Sequence, residues 1–298
     1  MPVLYEKRGH VGLVTLSRPE ARNAWCAAFD EELLRIFTEM EEDDAVRCVV
    51  LTGDPAGRAF SAGADLKDPR THTIDSAGEL IKDVPRWRRF VANLLTDFPK
   101  PVIAAVNGYA IGIGCIVTFC CDLIVASDKA EWRLPQANLG IMPAYGGPVR
   151  LARWIGKGLA MRLSLGFPLE AEEALRIGLA QWLVPHDALM EKALAVAEHV
   201  AAQSPLATRM VKESLNRGMD IPNVGDAALV DVYRFLALTL TETRRKAMPP
   251  GSKAATPASK GDNNPGSRYI RFDRFIAQPI PPCYGRACEA LSEGALAV

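Results

Sequence analysis

The chain has no excess of charge of either sign: 35 Lys and Arg balance 35 Asp and Glu over 298 residues. That balance makes no long-range field to gather nucleic acid or an anionic membrane surface, which argues against polyanionic macromolecular partners, RNA among them. Histidine is scarce, with His10, His72, His186 and His199 far apart, and no Cys-x-x-Cys occurs, so no metal ligand set is expected. The 7 cysteines are odd in number and scattered, several within apolar runs where thiols serve as small core hydrophobes. Such usage suits a reducing compartment, and a cytoplasmic location is expected. The start, Met1-Pro2-Val3-Leu4-Tyr5-Glu6-Lys7, lacks the apolar core of a secretory signal and the Arg/Ser richness of a transit peptide. Also missing are a Walker loop, a Gly-x-Ser-x-Gly elbow and His-Glu-x-x-His, which removes the best-marked phosphotransferase, serine-hydrolase and zinc-protease readings.

What remains is a chain of 49% hydrophobic residues, enough for one large core or two modest ones. Two small-residue turns stand out: Phe60-Ser61-Ala62-Gly63-Ala64-Asp65-Leu66 and Asn107-Gly108-Tyr109-Ala110-Ile111-Gly112-Ile113-Gly114. Each follows an apolar, β-branched run, Cys48 to Thr52 and Val102 to Val106, so each is expected where a buried parallel strand gives way to a helix. Backbone N–H groups at helix starts lack intrahelical partners, and two of them converging would form an oxyanion hole. The second turn is not a Rossmann loop, because Cys115-Ile116-Val117 follows with no third glycine and no acidic residue stands about twenty positions on. The uncharged stretch Val102 to Cys121 is long enough for a membrane span, but Asn107, Gly108, Gly112 and Gly114 read better as strand, turn and buried helix.

Periodicity places strands at Val3 to Lys7, Val11 to Leu16, Cys48 to Thr52, Val102 to Val106 and Leu123 to Ala126. A helix over Ala27 to Glu42 presents Phe29, Leu33, Leu34, Phe37 and Met40. Strands alternating with helices imply parallel βαβ-type units. Asp68 to Asp83 is polar and irregular and leads into a helix ending near Phe98; further helices are expected near Cys115 to Cys120 and, from Gly146 on, over most of the chain to Thr243. Residues 247 to 267 are rich in Pro, Gly and Ser and read as a disordered linker.

These segments resemble the crotonase (enoyl-CoA hydratase/isomerase) superfamily. The matching stretches are Leu16 to Pro19 with Arg22-Asn23-Ala24, Phe60 to Leu66, Pro101 to Gly108, Cys121-Asp122-Leu123, Leu134-Pro135-Gln136 with Leu139-Gly140-Ile141, and Ala171 to Ala174 with Gly178-Leu179. The resemblance implies an α/β fold, a spiral of ββα repeats, with a core over residues 1–200, a helical trimerisation region over 201–246 and a non-family tail over 247–298. It also implies an acyl-CoA thioester as ligand, with coenzyme A part of the substrate and no separate cofactor, and assembly as a homotrimer or homohexamer. The oxyanion donors fall on the N–H groups of Ala64 and Ile113; Arg22, Ala24, Ala62, Asp65 and Leu66 fall along the CoA chain.

Several positions depart from the family. Its hydratases position and deprotonate water with two glutamates, and Ile116 and Gln136 stand at those places. Isoleucine cannot transfer a proton, and a neutral amide is no base near pH 7. The segment that would carry a dehalogenase or dienoyl-isomerase aspartate reads Pro143-Ala144-Tyr145. Gln136, which otherwise caps the following turn, and Tyr145, which otherwise packs on a neighbouring subunit, are the polar groups left to act as hydrogen-bonding partners. His72, Asp75, Glu79 and Asp83 border the acyl pocket in this family but read equally as solvated surface, and Cys115 reads as core. The expected activity is of the hydratase/isomerase/lyase group without two glutamates; hydrolysis or C–C cleavage of a β-oxo substrate and a silent acyl-CoA-binding subunit are the alternatives. Beyond Lys246 the family's usual ending gives way to the Pro/Gly/Ser segment. Codons for Lys-Ala-Met-Pro-Pro-Gly read one nucleotide out of phase can encode Gly-His-Ala-Ala-Trp, which resembles the family's ending, so a reading-frame change near Lys246 is one hypothesis, which the DNA sequence decides.

Overall fold

The computed structural model describes residues 2–68, 76, 78 and 90–241. The expectations at His72, Asp75, Glu79 and Asp83, the linker and the 247–298 tail lie outside these residues.

Strands β1 (Val3–Arg8) and β2 (Val11–Leu16) form an antiparallel hairpin closed at Gly9, whose φ of +58° suits a residue without Cβ. Next come β3 (Cys48–Gly53) and the short β4 (Ala59–Ser61), then β5 (Val102–Val106) and β6 (Tyr109–Ile111), then β7 (Leu123–Ser127) and β8 (Glu131–Arg133). The longer strand of each pair joins one sheet and the shorter strand another. With β9 (Leu169–Glu170) and β10 (Trp182–Val184), the sheet orders are β1-β2-β3-β5-β7-β10 and β4-β6-β8-β9. Inside the first sheet every pair after the hairpin is parallel.

This pairing corrects one expectation. The second small-residue run starts directly after β5, but each run includes residues of a three-residue strand of the second sheet, Ala59–Ser61 in the first and Tyr109–Ile111 in the second, so the turning glycines come one short strand later than the long strands. Segments of two or three residues are too short for a periodic signal, so β4, β6, β8, β9 and β10 were invisible to patterning. The second turn does open a helix, spanning Ile113–Thr118, whereas Ala64 lies in an isolated bridge to Trp25 instead of at a helix start.

Both faces of the long strands are buried. Val49 and Leu51 of β3, with Val102, Ala104 and Val106 of β5, face the core shared with α1 (Ala27–Glu42) and α2 (Val91–Asp97). Cys48 and Val50, with Ile103 and Ala105, face the opposite core. Helix α1 buries Phe29, Leu33, Ile36, Phe37 and Met40, while Leu34 is 40% exposed. At about 100° per residue Leu34 points roughly 140° away from Phe29 and Ile36 only about 20°, which explains the exchange. Lys100 secures the end of α1 by donating from Nζ to the Asp43 carbonyl at 2.8 Å.

The helix opened by the second turn is α3 (Ile113–Thr118), and α4 (Gly147–Ser164) follows with a break at Gly156, φ 78° and ψ 163°. Thus the uncharged stretch from Val102 is strand, strand and buried helix, and no helix among the described residues is long and apolar enough to cross a membrane. After α5 (Ala171–Arg176), helix α6 (Leu189–Ala201) covers the second core with Leu189, Ala193, Val196, Ala197 and Ala201. Ala193 and Ala197, one turn apart, let the helix lie close on the strands. Helices α7 (Pro205–Gly218) and α8 (Val224–Thr239) complete the described chain. Lys212 of α7 is buried and reaches Asp122 at 2.7 Å, with its ammonium also donating to the carbonyls of Leu95 at 2.9 Å and Lys100 at 3.1 Å.

Candidate active site

The two small-residue turns pack against each other. A Cβ built on Gly114 would lie 2.6 Å from Ser61 Cβ and 2.7 Å from Ser61 O, and one on Gly63 would lie 3.0 Å from Ile111 O. Only glycine permits this approach, and Gly63 (φ +91°) and Gly112 (φ +54°) also need the left-handed region. The register of the second sheet sets the pairing, because β4 and β6 are parallel neighbours that deliver both turns at the same end.

Local hydrogen bonds then orient the donors. Trp25 N–H donates to Gly63 O at 2.7 Å and Asp65 N–H donates to Trp25 O at 2.8 Å, the pattern of a parallel bridge. In such a bridge the central residue's own N–H faces away from the partner strand, so Ala64 N–H has no acceptor among the described residues. Ile113 N–H heads α3, where no intrahelical acceptor exists, and it too lacks an acceptor among the described residues. Gly112 N–H, by contrast, is used by Arg133 O at 2.8 Å.

The segment before the first turn holds it from the other side. Asn23 is fully buried at φ 55°; its amide donates to Asp54 O at 3.0 Å and Ala59 O at 2.7 Å and accepts from Arg18 N–H at 3.1 Å. Arg22 is exposed, at φ 52°, and its carbonyl accepts from Ala62 N–H at 3.1 Å. Ala24 is buried, and its carbonyl accepts from Arg18 at 2.9 Å. Asp65 forms an ion pair with Arg18 at 2.9 Å, and the Lys67 N–H and then the Arg18 guanidinium hold its carboxyl below the usual carboxylate value. Leu66 is 68% exposed beside it. Thus Arg22, Ala24, Ala62, Ala64, Asp65 and Leu66 lie together along one edge of the turn. Asn23 and Trp25 are the organising residues that the pattern of small residues did not single out, although both stand inside the same run.

At the base positions the surroundings are sharply different. Ile116 is 1% exposed, and a Cβ built on Gly147 would meet its side chain at 3.1 Å. Cys115 beside it is buried, and that burial pushes its thiol well above the ordinary value, which makes it part of the core and no nucleophile. Gln136 sits in the 3-10 helix Pro135–Leu139, and its backbone carbonyl accepts from Ile141 N–H at 3.1 Å. Its side chain makes no cap: Oε1 is buried without a hydrogen-bond partner, and Nε2 lies 3.4 Å from where a Cβ on Gly112 would be. Tyr145, at φ 57°, stacks on Phe90 with centroids 3.7 Å apart and planes 9° apart, so it packs within its own chain. Trp25 continues that row at 6.5 Å from Phe90. Among the described residues no group of three His, Cys, Asp or Glu could hold a metal ion.

Known proteins resemble the chain in sequence and in fold. The family described as enoyl-CoA hydratase/isomerase matches residues 6–249. The chain is 37% identical over 250 residues to "Enoyl-CoA hydratase, mitochondrial" of Pongo abelii, covering 83% of each. It is also 37% identical over 249 residues to "Short-chain-enoyl-CoA hydratase" of Clostridium acetobutylicum, covering 83% of this chain and 92% of the relative. The solved structure of enoyl-CoA hydratase from Bacillus anthracis superposes with a TM-score of 0.76 at 32% identity, over 83% of this chain and 94% of that one. With the two interlocked sheets and the helical C-terminal region, these likenesses show that the chain belongs to the enoyl-CoA hydratase/isomerase family and has its crotonase fold.

Proposed function

We propose that the protein binds an acyl-CoA thioester and stabilises the enolate or oxyanion of its carbonyl with the N–H groups of Ala64 and Ile113. The observation that carries this reading is the pair of interlocked turns whose two N–H groups have no acceptor among the described residues. Donors fixed before charge develops need no reorganisation as it appears, which is why such sites favour reactions through an oxyanion. Arg22, Ala24, Ala62, Asp65 and Leu66 line the course of the CoA chain, with the Asp65 carboxylate tied to Arg18.

The reaction belongs to the hydratase/isomerase/lyase group but does not run through two glutamates. Ile116 is buried with Gly147 close against its side chain and offers no proton acceptor. Gln136 holds or orients a polar group without taking its proton, and Tyr145, stacked on Phe90, serves as a hydrogen-bond donor at the pocket wall. Hydrolysis or C–C cleavage of a β-oxo substrate is the second reading, favoured by the same absence of a carboxylate at Gln136.

Assembly as a trimer or a hexamer of two trimers fits α8, which buries none of its residues and exposes Leu229, Tyr233, Phe235 and Leu236. Such a face suits contact with other subunits. A cytoplasmic location accords with the buried free thiols.

Crotonyl-CoA hydration by the purified protein, measured beside butyryl-CoA binding, tests the reading. General acid–base groups each contribute about 10²–10⁴-fold. Binding is therefore expected together with hydration at least about 10³-fold slower than by a two-glutamate enzyme. Turnover equal to that of such an enzyme would remove the roles given to Ile116 and Gln136, and failure to bind any CoA ester would remove the acyl-CoA reading.

A further inference from the structure

We propose that Gln136 is a substrate-selecting residue, and that it favours acyl thioesters carrying a second oxygen on C3: a 3-oxoacyl-CoA and its enol tautomer. The inference rests on the acyl-CoA reading above and names the substrate class for that same site.

The placement of the amide is the first observation. Nε2 lies at the junction of the two turns: a Cβ built on Gly112 would be 3.4 Å from Nε2 and 3.8 Å from Gly63 Cα. The N–H groups of Ala64 and Ile113 leave those same turns, so the amide nitrogen is a third donor beside them. An acyl carbonyl held by the first two puts the next substituents of its chain near the third.

The second observation is Oε1, which is buried with no hydrogen-bond partner. Buried amide oxygens are almost always paired, so a donor supplied by the ligand is the natural complement. A water-activating carboxylate would only accept hydrogen bonds; an amide both donates and accepts. It therefore matches both forms of a β-dicarbonyl. Nε2 donates to the C3 carbonyl oxygen of the keto form, and Oε1 accepts from the C3 hydroxyl of the enol.

Charge points the same way. A carboxylate at position 136 would repel a carbonyl oxygen and an enolate alike, whereas the amide does not. Ile116 brings no second anion, and the Asp65 carboxylate is committed to Arg18 at 2.9 Å. The site thus presents three neutral donors and no free carboxylate among these residues to an electron-rich dicarbonyl. An enoyl or saturated chain has nothing at C3 for Gln136 to hold.

Isothermal titration with acetoacetyl-CoA, crotonyl-CoA and butyryl-CoA tests this. Wild-type protein should bind acetoacetyl-CoA about tenfold more tightly than butyryl-CoA, the scale of one well-placed hydrogen bond. Gln136→Leu should bring the two within about threefold through loss of acetoacetyl-CoA affinity, and Gln136→Glu should reverse the preference through repulsion. A urea midpoint close to that of wild-type protein shows that each variant is folded. Equal wild-type affinities for the three esters, or a preference that survives Gln136→Leu, would overturn the assignment of Gln136 alone. Failure of wild-type protein to bind any of the three would overturn the acyl-CoA reading itself, and this inference with it.

Discussion

Gly114→Ala puts the convergence of the two turns to the test. The new methyl group would stand 2.6 Å from Ser61 Cβ and 2.7 Å from Ser61 O, neither of which is a flexible side-chain end. Ordinary contact begins near 3.4 Å, so the turns must part by about 0.8 Å. Forcing a methyl group into such a packed contact costs about 1–3 kcal/mol, and the helix-forming gain of alanine returns up to about 1 kcal/mol. A net loss of about 1–2 kcal/mol is expected in urea denaturation. The functional effect should be larger than this suggests, because the Ala64 and Ile113 N–H groups ride on the two parted turns. Weakening both bonds should lower butyryl-CoA affinity about tenfold, and displacement on the scale of 1 Å can cost a reaction about 10²-fold. Gly158→Ala is the control: nothing lies within 4 Å of its Cβ, two residues past the break at Gly156 in α4, so it should stabilise by about 0.4–1 kcal/mol without touching affinity. Wild-type stability and affinity in Gly114→Ala would refute the argument that the two turns form one rigid site.

Lys212→Met leaves the Asp122 carboxylate buried without its ammonium partner and should cost about 3–5 kcal/mol in denaturant, with Asp122→Asn restoring part of the loss in the double variant. Asn23→Ala removes three hydrogen bonds that join Arg18, Asp54 and Ala59, and should cost about 2–4 kcal/mol; a change under about 0.5 kcal/mol in the urea midpoint would contradict its organising role. Burial pushes the Cys48 and Cys120 thiols up to about 12, so at pH 8 only about 10⁻⁴ of each is thiolate and iodoacetamide should leave both unmodified in the native protein. The same shift sets a pH dependence. The unfolded chain loses these protons near pH 9.0 and the folded chain only near 12, so the stabilisation is complete below pH 9 and falls above it by about 1.4 kcal/mol per pH unit per thiol. Urea midpoints that stay level from pH 9 to 10.5 would contradict that sign.

The long strands and α1 were legible in the sequence because burial on one or both faces leaves a repeat of 2.0 or 3.6 residues. Leu34 was misplaced and Ile36 missed because a run of adjacent apolar residues blurs the helical phase. The short strands of the second sheet were not legible, and they decide how the turns meet. Turn chemistry told more about the site than periodicity did: Gly63, Gly112 and Gly114 marked the two turns, while their close backbone approach shows only in three dimensions. What they approach is a tertiary fact. The Ala64 N–H without an acceptor among the described residues arises from a bridge to Trp25, not from the helix start that the sequence pattern implied. Ile116 and Gln136 were visible only against the family resemblance, and the buried, unpartnered Oε1 of Gln136 only in three dimensions.

If the Ala64 and Ile113 N–H groups grip one thioester carbonyl, the infrared band of that carbonyl reports on it directly. Butyryl-CoA labelled with ¹³C at C1 would be measured free and bound, with the unlabelled ester subtracted. Two preorganised donors in a site shielded from water polarise the bond beyond what water does, so the bound band should move to lower frequency, and the move should shrink in Gly114→Ala. A bound carbonyl whose band stays at its aqueous frequency would contradict the oxyanion hole.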